Sequence, residues 1–553
     1  MDYQKLAELL FPGQSDDVDS IEKKYPPRNL PDSAKVTRFA PSPTGYLHFG
    51  GLFSAFADIL TAKASGGVSF LRIEDTDKKR EIENGVKAII DGFNQFGLEF
   101  TEGITGENSE RGDYGPYKQS QRVDIYHTVA KKLVEEGKAY PCFCTEEELA
   151  DIRQRQEAEG SDTRGYFGKW AKWRDADLSE IEKKLEDGRK WVLRFRSEGN
   201  PDKKIVFRDV IRGNIEMPEN IIDEVLLKSD GVPTYHFAHV CDDHFMRTTH
   251  VIRGEEWISS VPKHIQMFKA CGFKVPKYAH TPQVMKIDEQ DGTKRKLSKR
   301  KDPEAAVSWF ADVGYPAEAV LEYLLTLLNS NFEDWRRANK DADIYTFPFD
   351  LKKLSVSGCL FDTDKLNDIS KTVISKMKAG EVYDLALKWA EKNDAELYKL
   401  FSENPEKAKD ILNIDRENKK PRKDIAKWSD IKNYVSYFYT ELYKPDYAFP
   451  ENIDSKDESE IINEYIKIYS RDDDKDAWFE KIKSLCEPLG FCPNVKEYKK
   501  SPENYKGHIG DVSSVIRVAV TSRTNTPDLY YIMKILGYDE VISRLKDSAA
   551  KLN

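Results

Sequence analysis

The sequence predicts an α/β protein in which a doubly wound parallel sheet carries an α+β insertion and is followed by an all-α C-terminal region. Two strand–turn–helix units predict the sheet, because parallel neighbouring strands need a crossover that usually contains a helix. The long gap between the two units predicts the insertion. After about residue 376, Lys/Glu-rich helical patterns with few strand signals predict the helical region.

The first unit starts with a short alternating run, Val36 to Ala40, which is long enough for a strand and is followed by the turn PSPTG. From Gly51 onward the apolar residues fall at helical spacing, and SGG at 65–67 ends that helix. VSFLRI at 68–73 has the composition of a buried strand, so the stretch completes a βαβ unit. Ligands of such sheets bind beyond the carboxyl ends of the strands.

The second unit begins at HVIRGEEW, 250–257, where a strand runs into acidic residues ahead of another helical pattern. Between the two units, residues from about 114 to 235 form the insertion. Within it, WVLRFR at 191–196 and KIVFRDVIRGNIEM at 204–217 are predicted to pair as antiparallel strands.

Composition limits the class of protein. The 553 residues predict several domains, and 39% apolar with 33% charged residues argues against general disorder. No run of about 18 apolar residues is present, and the acidic N-terminus lacks the features of a secretory signal. Seven scattered cysteines suit a reducing compartment. We therefore expect a cytoplasmic protein without a membrane partner.

RFAPSPTGYLHFGGL, 38–52, has the layout of a phosphate site but matches neither of the two common glycine-rich fingerprints. A helix N-terminus offers unpaired N–H groups and the positive end of a dipole. Gly50 and Gly51 would let the backbone approach a ligand, and His48 would add a donor at the same place. For His48 taken by itself, a packed histidine at a turn is the alternative.

KRKLSKRKD, 294–302, is a second candidate phosphate site. It follows the second βα unit, on the ligand side of the sheet, where lysines on a mobile loop could neutralise a triphosphate. A solvated basic loop is the ordinary alternative for such a run.

Taken together, the motifs resemble a known family. PSPTGYLHFGG and KLSKR resemble the HIGH and KMSKS signature pair of class I aminoacyl-tRNA synthetases. With RIEDTD, PTYHFAHVCDDH and VIRGEEW between them, the order resembles bacterial-type glutamyl-tRNA synthetases, from about Val36 to the C-terminus and more thinly between 376 and 500. The resemblance implies a Rossmann-like catalytic domain. The glutaminyl-type enzymes differ, with a Glu-Pro pair at APSPTG and C-terminal β-barrels.

The resemblance also implies site residues by matching position. The implied catalytic residues are His48, Gly50, Gly51, Lys296, Ser298 and Lys299. The implied glutamate-binding residues are Arg38, Ala40, Ser42, Glu74, Tyr235, His239, Arg253 and Trp257. The implied ATP-binding residues are Thr44, His48, Gly51, Glu256, Val284, Lys296, Lys299 and Arg300. The implied tRNA-binding residues are Arg422, Arg517, Thr526 and Pro527.

The residue types suit these roles. A guanidinium fork such as that of Arg38 pairs with a carboxylate, and Glu74 would receive an ammonium group. The family often has asparagine where this chain has His239, which can still donate a hydrogen bond. Arg72 and Arg212 are expected to form surface ion pairs.

No structural zinc is predicted. CFC at 142–144 resembles the first half of a zinc knuckle, and a closed site normally needs four ligands. The second pair would lie near 165–173, where Trp170 and Trp173 stand instead of cysteine or histidine.

The implied activity is ligation of L-glutamate to tRNA at the expense of ATP with Mg²⁺, by a monomer. The expected partner is the glutamate tRNA, with the glutamine tRNA left open as a second substrate. The expected order of domains is an N-terminal extension at 1–35, catalytic halves at 36–113 and 236–296, an acceptor-stem-binding insertion at 114–235, a KMSKS-loop connector at 297–375 and anticodon-binding domains at 376–553.

Two alternatives remain at this stage. A glutamyl-queuosine tRNA-modifying paralogue shares the catalytic motifs but lacks an anticodon domain, so a length of 553 residues argues against it. A tRNA-binding protein without catalysis is the other, and the presence of His48, Lys296 and Lys299 argues against that.

Overall fold

The computed structural model describes residues 1–77, 79–161, 163–298, 300–356 and 358–552. The chain forms two compact units, Met1–Trp309 with Leu321–Asp362 and Phe310–Val320 with Thr363–Asn553. Among the described residues, no helix is both long and apolar enough to cross a membrane.

Helices and strands alternate in the first part of the chain. Up to residue 362 they are α1 (Tyr3–Leu10), α2 (Val18–Lys24), β1 (Val36–Phe39), α3 (Phe49–Ala64), β2 (Val68–Leu71), α4 (Gly85–Asn94), β3 (Glu102–Gly106), β4 (Ser109–Arg111), α5 (Val123–Glu135), β5 (Ala139–Cys142), α6 (Glu146–Ala158), α7 (Leu178–Glu186), β6 (Val192–Phe195), β7 (Lys204–Asp209), β8 (Gly213–Pro218), β9 (Val225–Leu227), α8 (Tyr235–Phe245), β10 (His250–Gly254), α9 (Val261–Ala270), β11 (Lys277–Thr281), β12 (Val284–Ile287), β13 (Lys294–Lys296), α10 (Ser308–Val313), α11 (Ala317–Leu328), α12 (Phe332–Ala338) and β14 (Cys359–Leu360).

The central sheet is parallel, as the two predicted βα units require, except that the short strand β4 pairs antiparallel with β3 at its edge. β1 pairs with β2 at Val36 and Val68, β2 pairs with β3, and β10 pairs with β11. β10 lies beside β1, where the Thr249 amide donates to the Val36 carbonyl at 2.9 Å. The order is therefore β3-β2-β1-β10-β11, and it reverses between β1 and β10. Such a switch point opens a crevice at the carboxyl ends of the strands.

The insertion contains two separate antiparallel pieces. β6 pairs with β5 and β9, whereas β7 and β8 pair only with each other. The prediction that 191–196 pairs with 204–217 is therefore wrong. The second stretch closes on itself, because the Asp209 carboxylate accepts from the Ile211 and Arg212 amides and Gly213 adopts a positive φ of 78°.

The N-terminal extension packs on the first unit through α1 and α2. Both helices contact α5, and their buried side chains belong to the core there. Glu22 of α2 lies 2.5 Å from His244 at the end of α8. Just after α2, the Tyr25 carbonyl accepts a hydrogen bond from the Arg247 Nε at 2.9 Å. Arg247 has a positive φ of 61°, so the extension holds a strained turn between α8 and β10.

The second unit contains helices joined by loops, and no strand is assigned among its described residues. From residue 363 its helices are α13 (Thr363–Lys376), α14 (Ala379–Asn393), α15 (Ala395–Glu403), α16 (Pro405–Asn413), α17 (Ile431–Val435), α18 (Ser455–Ile468), α19 (Lys475–Ser484), α20 (Val495–Tyr498), α21 (Ile509–Thr521), α22 (Leu529–Leu536) and α23 (Tyr538–Leu552). Two apolar clusters form its core, and buried Arg544 joins them by donating to the Tyr437 and Val520 carbonyls at 2.8 and 2.9 Å.

Candidate active site

An open cleft of about 610 Å³ lies at the switch point of the sheet. The predicted residues that line it are Arg38, Ala40, Ser42, Thr44, His48, Gly50, Gly51, Glu74, Tyr235, Arg253, Glu256, Trp257, Val284 and Lys296. His239, Ser298 and Arg300 are not among its lining residues. Lys299 falls outside the described residues.

His48 caps the N-terminus of α3 with its ring. Its Nδ1 accepts a hydrogen bond from the Gly50 amide at 3.0 Å. A ring nitrogen that accepts carries no proton, so the proton of the neutral ring is on Nε2. His48 lines the cleft, so an imidazole N–H group and the positive end of a helix occur together there, a combination that favours an anion.

Four charged residues form a buried cluster behind the ends of β1 and β2, here named the β1 cluster: Arg38, Arg72, Glu74 and Asp243. The Arg38 Nε donates to Asp243 at 3.1 Å, and Arg72 donates to Asp243 at 2.7 Å and to Glu74 at 3.1 Å. The expectation of a surface ion pair at Arg72 is wrong, because this side chain is 0% exposed between the acids of α8 and Glu74.

Asp242 extends the β1 cluster and was missed from the sequence. It accepts from the Arg122 Nε at 2.6 Å and from Gln119 and the Tyr126 hydroxyl at 2.9 Å. The available signal was the adjacent acid pair in the otherwise apolar helix segment HFAHVCDD. Paired acids on a buried face require buried cations, and Arg72 and Arg122 supply them.

Glu74 is the titratable group of the cleft. Burial raises the pKa of Glu74 to about 7, although Arg72 and Arg38 favour its ionised form. A carboxyl group poised in this way gains a proton or a cation easily. It suits a partner that brings its own positive charge.

Arg253, at the end of β10, is supported differently. Its guanidinium donates to the Tyr235 hydroxyl, the Trp257 carbonyl and the His264 Nδ1 at 3.3 Å each, and to the His280 Nε2 at 3.2 Å. Among the described residues, no carboxylate lies within 4.0 Å of it. Arg253, Tyr235, His264 and His280 are named the β10 cluster. It holds a buried cation without a contacting counterion.

His239 lies behind the pocket wall. Its side chain is 0% exposed, with Nδ1 2.7 Å from Asp243 and Nε2 3.2 Å from the Tyr278 hydroxyl. Its ring is parallel to that of Tyr235, with the ring centres 6.0 Å apart. Burial lowers the pKa of His239 to about 3, so the ring is neutral at physiological pH.

An acid organises the basic motif at 294–302. Asp302 accepts from the Ser298 amide at 2.8 Å and from the two terminal nitrogens of Arg295 at 2.6 and 2.8 Å. The hydrogen bonds from Arg295 lower the pKa of Asp302 to about 2. The Arg295–Asp302 ion pair was not predicted, because the sequence of the motif indicated only a basic run. It fixes the strand that brings Lys296 to the cleft.

One predicted ion pair and the two thiols of CFC at 142–144 lie outside the residues that line the cleft. Arg212 pairs with Glu255 and is partly exposed. Cys142 is buried, and the Cys144 Sγ lies 3.6 Å from the Tyr166 hydroxyl. Among the described residues, no group of three or more metal-ligating side chains is found.

The predicted tRNA-binding residues lie in the second unit. Arg517 donates to the Pro527 carbonyl at 3.0 Å and to the Thr526 hydroxyl. Arg422 pairs with Asp424 at 2.6 Å and with Asn525 at 3.0 Å, on a partly exposed surface. Arg517 and Arg422 therefore both contact the segment 525–527, and the Arg422 side chain is partly exposed there.

The sheet, the histidine-capped helix and the acid–arginine pocket define a class I aminoacyl-tRNA synthetase. Residues 35–368 match the family model of the catalytic domain of class I tRNA synthetases (E and Q), and residues 381–549 match that of an anticodon-binding domain. The chain belongs to the glutamate–tRNA ligase family.

Similar proteins agree over the full length. The chain is 49% identical to a glutamate–tRNA ligase of Clostridium perfringens strain SM101 over 550 residues, covering 99% of each. It is 49% identical to that of Acetivibrio thermocellus over 547 residues, covering 99% of this chain and 100% of the relative. A crystal structure of a glutamate tRNA ligase from Elizabethkingia meningosepticum in complex with its amino acid is 28% identical, with a TM-score of 0.73 over 94% of this chain and 100% of that one.

Proposed function

We propose that this chain activates L-glutamate with ATP and transfers the glutamyl group to the 3′ end of tRNA. One observation supports the choice of amino acid: Arg253 is a buried guanidinium that faces the cleft, and its protein partners are all neutral. A buried cation without a contacting counterion favours an anionic side chain over an amide.

The pocket residues have defined donors left for the substrate. Arg253 has five N–H groups, of which four are used within the protein, so one on Nη1 remains. The Tyr235 oxygen accepts from Arg253, which leaves its O–H to donate. These two donors would hold the side-chain carboxylate. Glu74 would receive the ammonium group, and Arg38 would lie at the substrate carboxylates with Ala40, Ser42 and Trp257 as walls.

In the first step an oxygen of the glutamate α-carboxylate attacks the α-phosphorus of ATP. The bond to the bridging oxygen breaks, and pyrophosphate leaves with its electron pair. His48 Nε2–H and the first amides of α3 at Gly50 and Gly51 would stabilise charge on the phosphate oxygens. Lys296 and Lys299 would act on the leaving pyrophosphate.

The remaining predicted contacts complete the ATP site. Thr44 and Glu256 line the cleft beside the helix N-terminus and β10, and Val284 offers an apolar wall suited to a base. Ser298 and Arg300 are the neighbours of Lys299 in the sequence. Mg²⁺ would arrive bound to the ATP phosphates. We keep the expectation that no structural zinc is bound.

In the second step the terminal ribose hydroxyl of tRNA attacks the carbonyl carbon of glutamyl-adenylate, and AMP leaves. No protein nucleophile is needed.

The insertion, about 114–235, would hold the acceptor end, and the second unit would read the anticodon near Arg422, Arg517, Thr526 and Pro527. Phosphate contacts position such an RNA, and base contacts identify it. We propose a cytoplasmic monomer that charges the glutamate tRNA, with the glutamine tRNA as a possible second substrate.

Pyrophosphate exchange tests this proposal. We expect incorporation of labelled pyrophosphate into ATP that requires glutamate and tRNA, and aminoacylation of purified glutamate tRNA. Exchange without aminoacylation of any full-length tRNA for glutamate or glutamine would favour the tRNA-modifying activity. Tight tRNA binding with no exchange would favour a non-catalytic binding protein. Charging of the two tRNAs side by side decides whether the glutamine tRNA is a substrate.

A further inference from the structure

The two imidazoles of the β10 cluster accept hydrogen bonds from Arg253. The His264 Nδ1 lies 3.3 Å from one terminal nitrogen, and the His280 Nε2 lies 3.2 Å from Nε. A guanidinium only donates, so both ring nitrogens must be the acceptors. Both rings are 0% exposed, so these contacts are shielded from water.

The opposite nitrogen of each ring therefore carries the proton. The His280 Nδ1 lies 2.7 Å from Asp209, to which it donates. The His264 Nε2 lies 2.9 Å from the His236 Nδ1, to which it donates. Burial lowers the pKa of His264 well below its ordinary value and that of His236 to about 4. The rings that touch Arg253 are neutral, and the Asp209 carboxylate that holds His280 is separated from Arg253 by that imidazole.

This arrangement fixes the guanidinium without cancelling its charge. A carboxylate in contact would hold Arg253 equally well but would supply the counterion that the substrate now brings. In a buried site an unpaired charge is costly, and a ligand that pairs it recovers that cost. A glutamine amide could accept the same hydrogen bond but would leave the charge unpaired.

We infer that His264 and His280 are specificity-determining residues, which make the pocket prefer an acidic to an amide side chain by orienting Arg253 with neutral acceptors. The inference rests on the proposed role of Arg253 as the cation that binds the side-chain carboxylate. They act through Arg253 and are therefore positioning residues.

The test compares two variants of equal shape, His264→Asn and His264→Asp. Both place an oxygen near the position of Nδ1, and only the second adds a charge. The readouts are the KM for glutamate in pyrophosphate exchange and the inhibition constant of glutamine as a competitor. The ratio used below is the inhibition constant of glutamine divided by the KM for glutamate, so a high ratio means a preference for glutamate. We expect His264→Asn to keep the ratio of the two constants within about threefold of the wild type. We expect His264→Asp to reduce it at least tenfold, mainly by raising the KM for glutamate.

Equal loss of glutamate affinity in both variants, with the ratio unchanged, would overturn the inference and leave His264 a packing residue. If His264→Asp does not fold, His236→Asp and His236→Asn repeat the comparison at a half-buried site one ring further out. There the charged variant should reduce the ratio by a smaller factor, and the neutral one should not. An unchanged ratio in both would again count against the inference.

Arg253→Gln separates this failure from failure of the proposed pocket. If Arg253→Gln leaves the KM for glutamate unchanged, Arg253 does not bind the substrate side chain, and the function proposed for the pocket is wrong. If Arg253→Gln raises that KM but His264→Asp does not lower the ratio, only the inference about the histidines is wrong.

Discussion

Two arginine clusters face the same cleft and are built in opposite ways. In the β1 cluster, Arg38 and Arg72 contact Asp243, so most of their charge is balanced inside the protein. In the β10 cluster, the acceptors that Arg253 contacts in the described part of the chain are all neutral. The difference separates two uses of one side chain: Arg72 fixes the sheet to α8 through Asp243, and Arg253 keeps a charge for a ligand.

Asp243→Asn should break the β1 cluster with the largest effect. Removing one partner of a buried ion pair leaves uncompensated charge, and we expect a loss of about 3–5 kcal/mol in the free energy of unfolding. Chemical denaturation monitored by circular dichroism measures it. A loss below about 1 kcal/mol would show that Arg38 and Arg72 do not need this carboxylate.

His48→Ala should slow the chemistry that both clusters serve. The variant removes the Nε2–H donor and the Nδ1 cap of α3, and loss of one such charge-stabilising donor typically lowers kcat about 100- to 1000-fold. Pyrophosphate exchange with tRNA present measures kcat, and the KM for glutamate should change little. Near-normal turnover would contradict the role proposed for this ring.

Arg253→Gln should give the opposite pattern to Asp243→Asn. The guanidinium has no contacting counterion to orphan, so stability should fall by less than the β1 variant loses. Glutamate binding should weaken by about 3 kcal/mol, or roughly 100-fold in kcat/KM. Denaturation and steady-state kinetics on the same sample distinguish the two clusters. A loss in the free energy of unfolding equal to that of Asp243→Asn would contradict the proposed difference between the two clusters.

The pH dependence of glutamate binding should report Glu74. Burial raises its pKa to about 7, and the ionised form is the one that receives an ammonium group. The KM for glutamate should therefore fall about tenfold as pH rises from about 6 to about 8, as the ionised fraction increases. Glu74→Gln should have a higher KM that no longer changes over this range. A flat profile in the unmodified protein would assign the ammonium to another group.

His239→Asn should have the smallest effect. The ring lies behind Tyr235 and outside the cleft, and asparagine can retain a hydrogen bond toward Asp243. We expect a change of less than about threefold in the KM for glutamate. A larger change would show that His239 helps to determine the affinity of the pocket for glutamate, rather than only supporting Tyr235 from behind.

The central sheet could be predicted because its signals are local. The alternation at 36–40, the SGG stretch at 65–67 and the run at 68–73 mark the start or end of an element, and β1, α3 and β2 occur there. The pairing of β6 could not be predicted in this way. Its partners β5 and β9 lie on either side of it in the chain, so hydrophobic alternation identified the strand but not its neighbours.

The cleft residues came from motifs, and their supports did not. Arg38, Glu74 and Arg253 each end or follow a strand, where sheet topology places ligands. Asp243 lies on α8, 205 residues after Arg38, whereas His264 and His280 lie on α9 and β11, 11 and 27 residues after Arg253. Which of them contacts an arginine depends on packing, and no short spacing encodes it. This is also why Arg72 was mistaken for a surface residue.

The N-terminal extension is synthesised long before its partners. Gln14 bonds to Thr128, 114 residues later in the chain, and Glu22 lies against His244, 222 residues later. At about 5–20 residues per second, the ribosome needs roughly 6–23 s to reach the first partner and roughly 11–44 s to reach the second. Until then α1 lacks α5, the helix against which it packs in the folded protein. A chaperone that binds short apolar helices would meet this segment before the sheet exists.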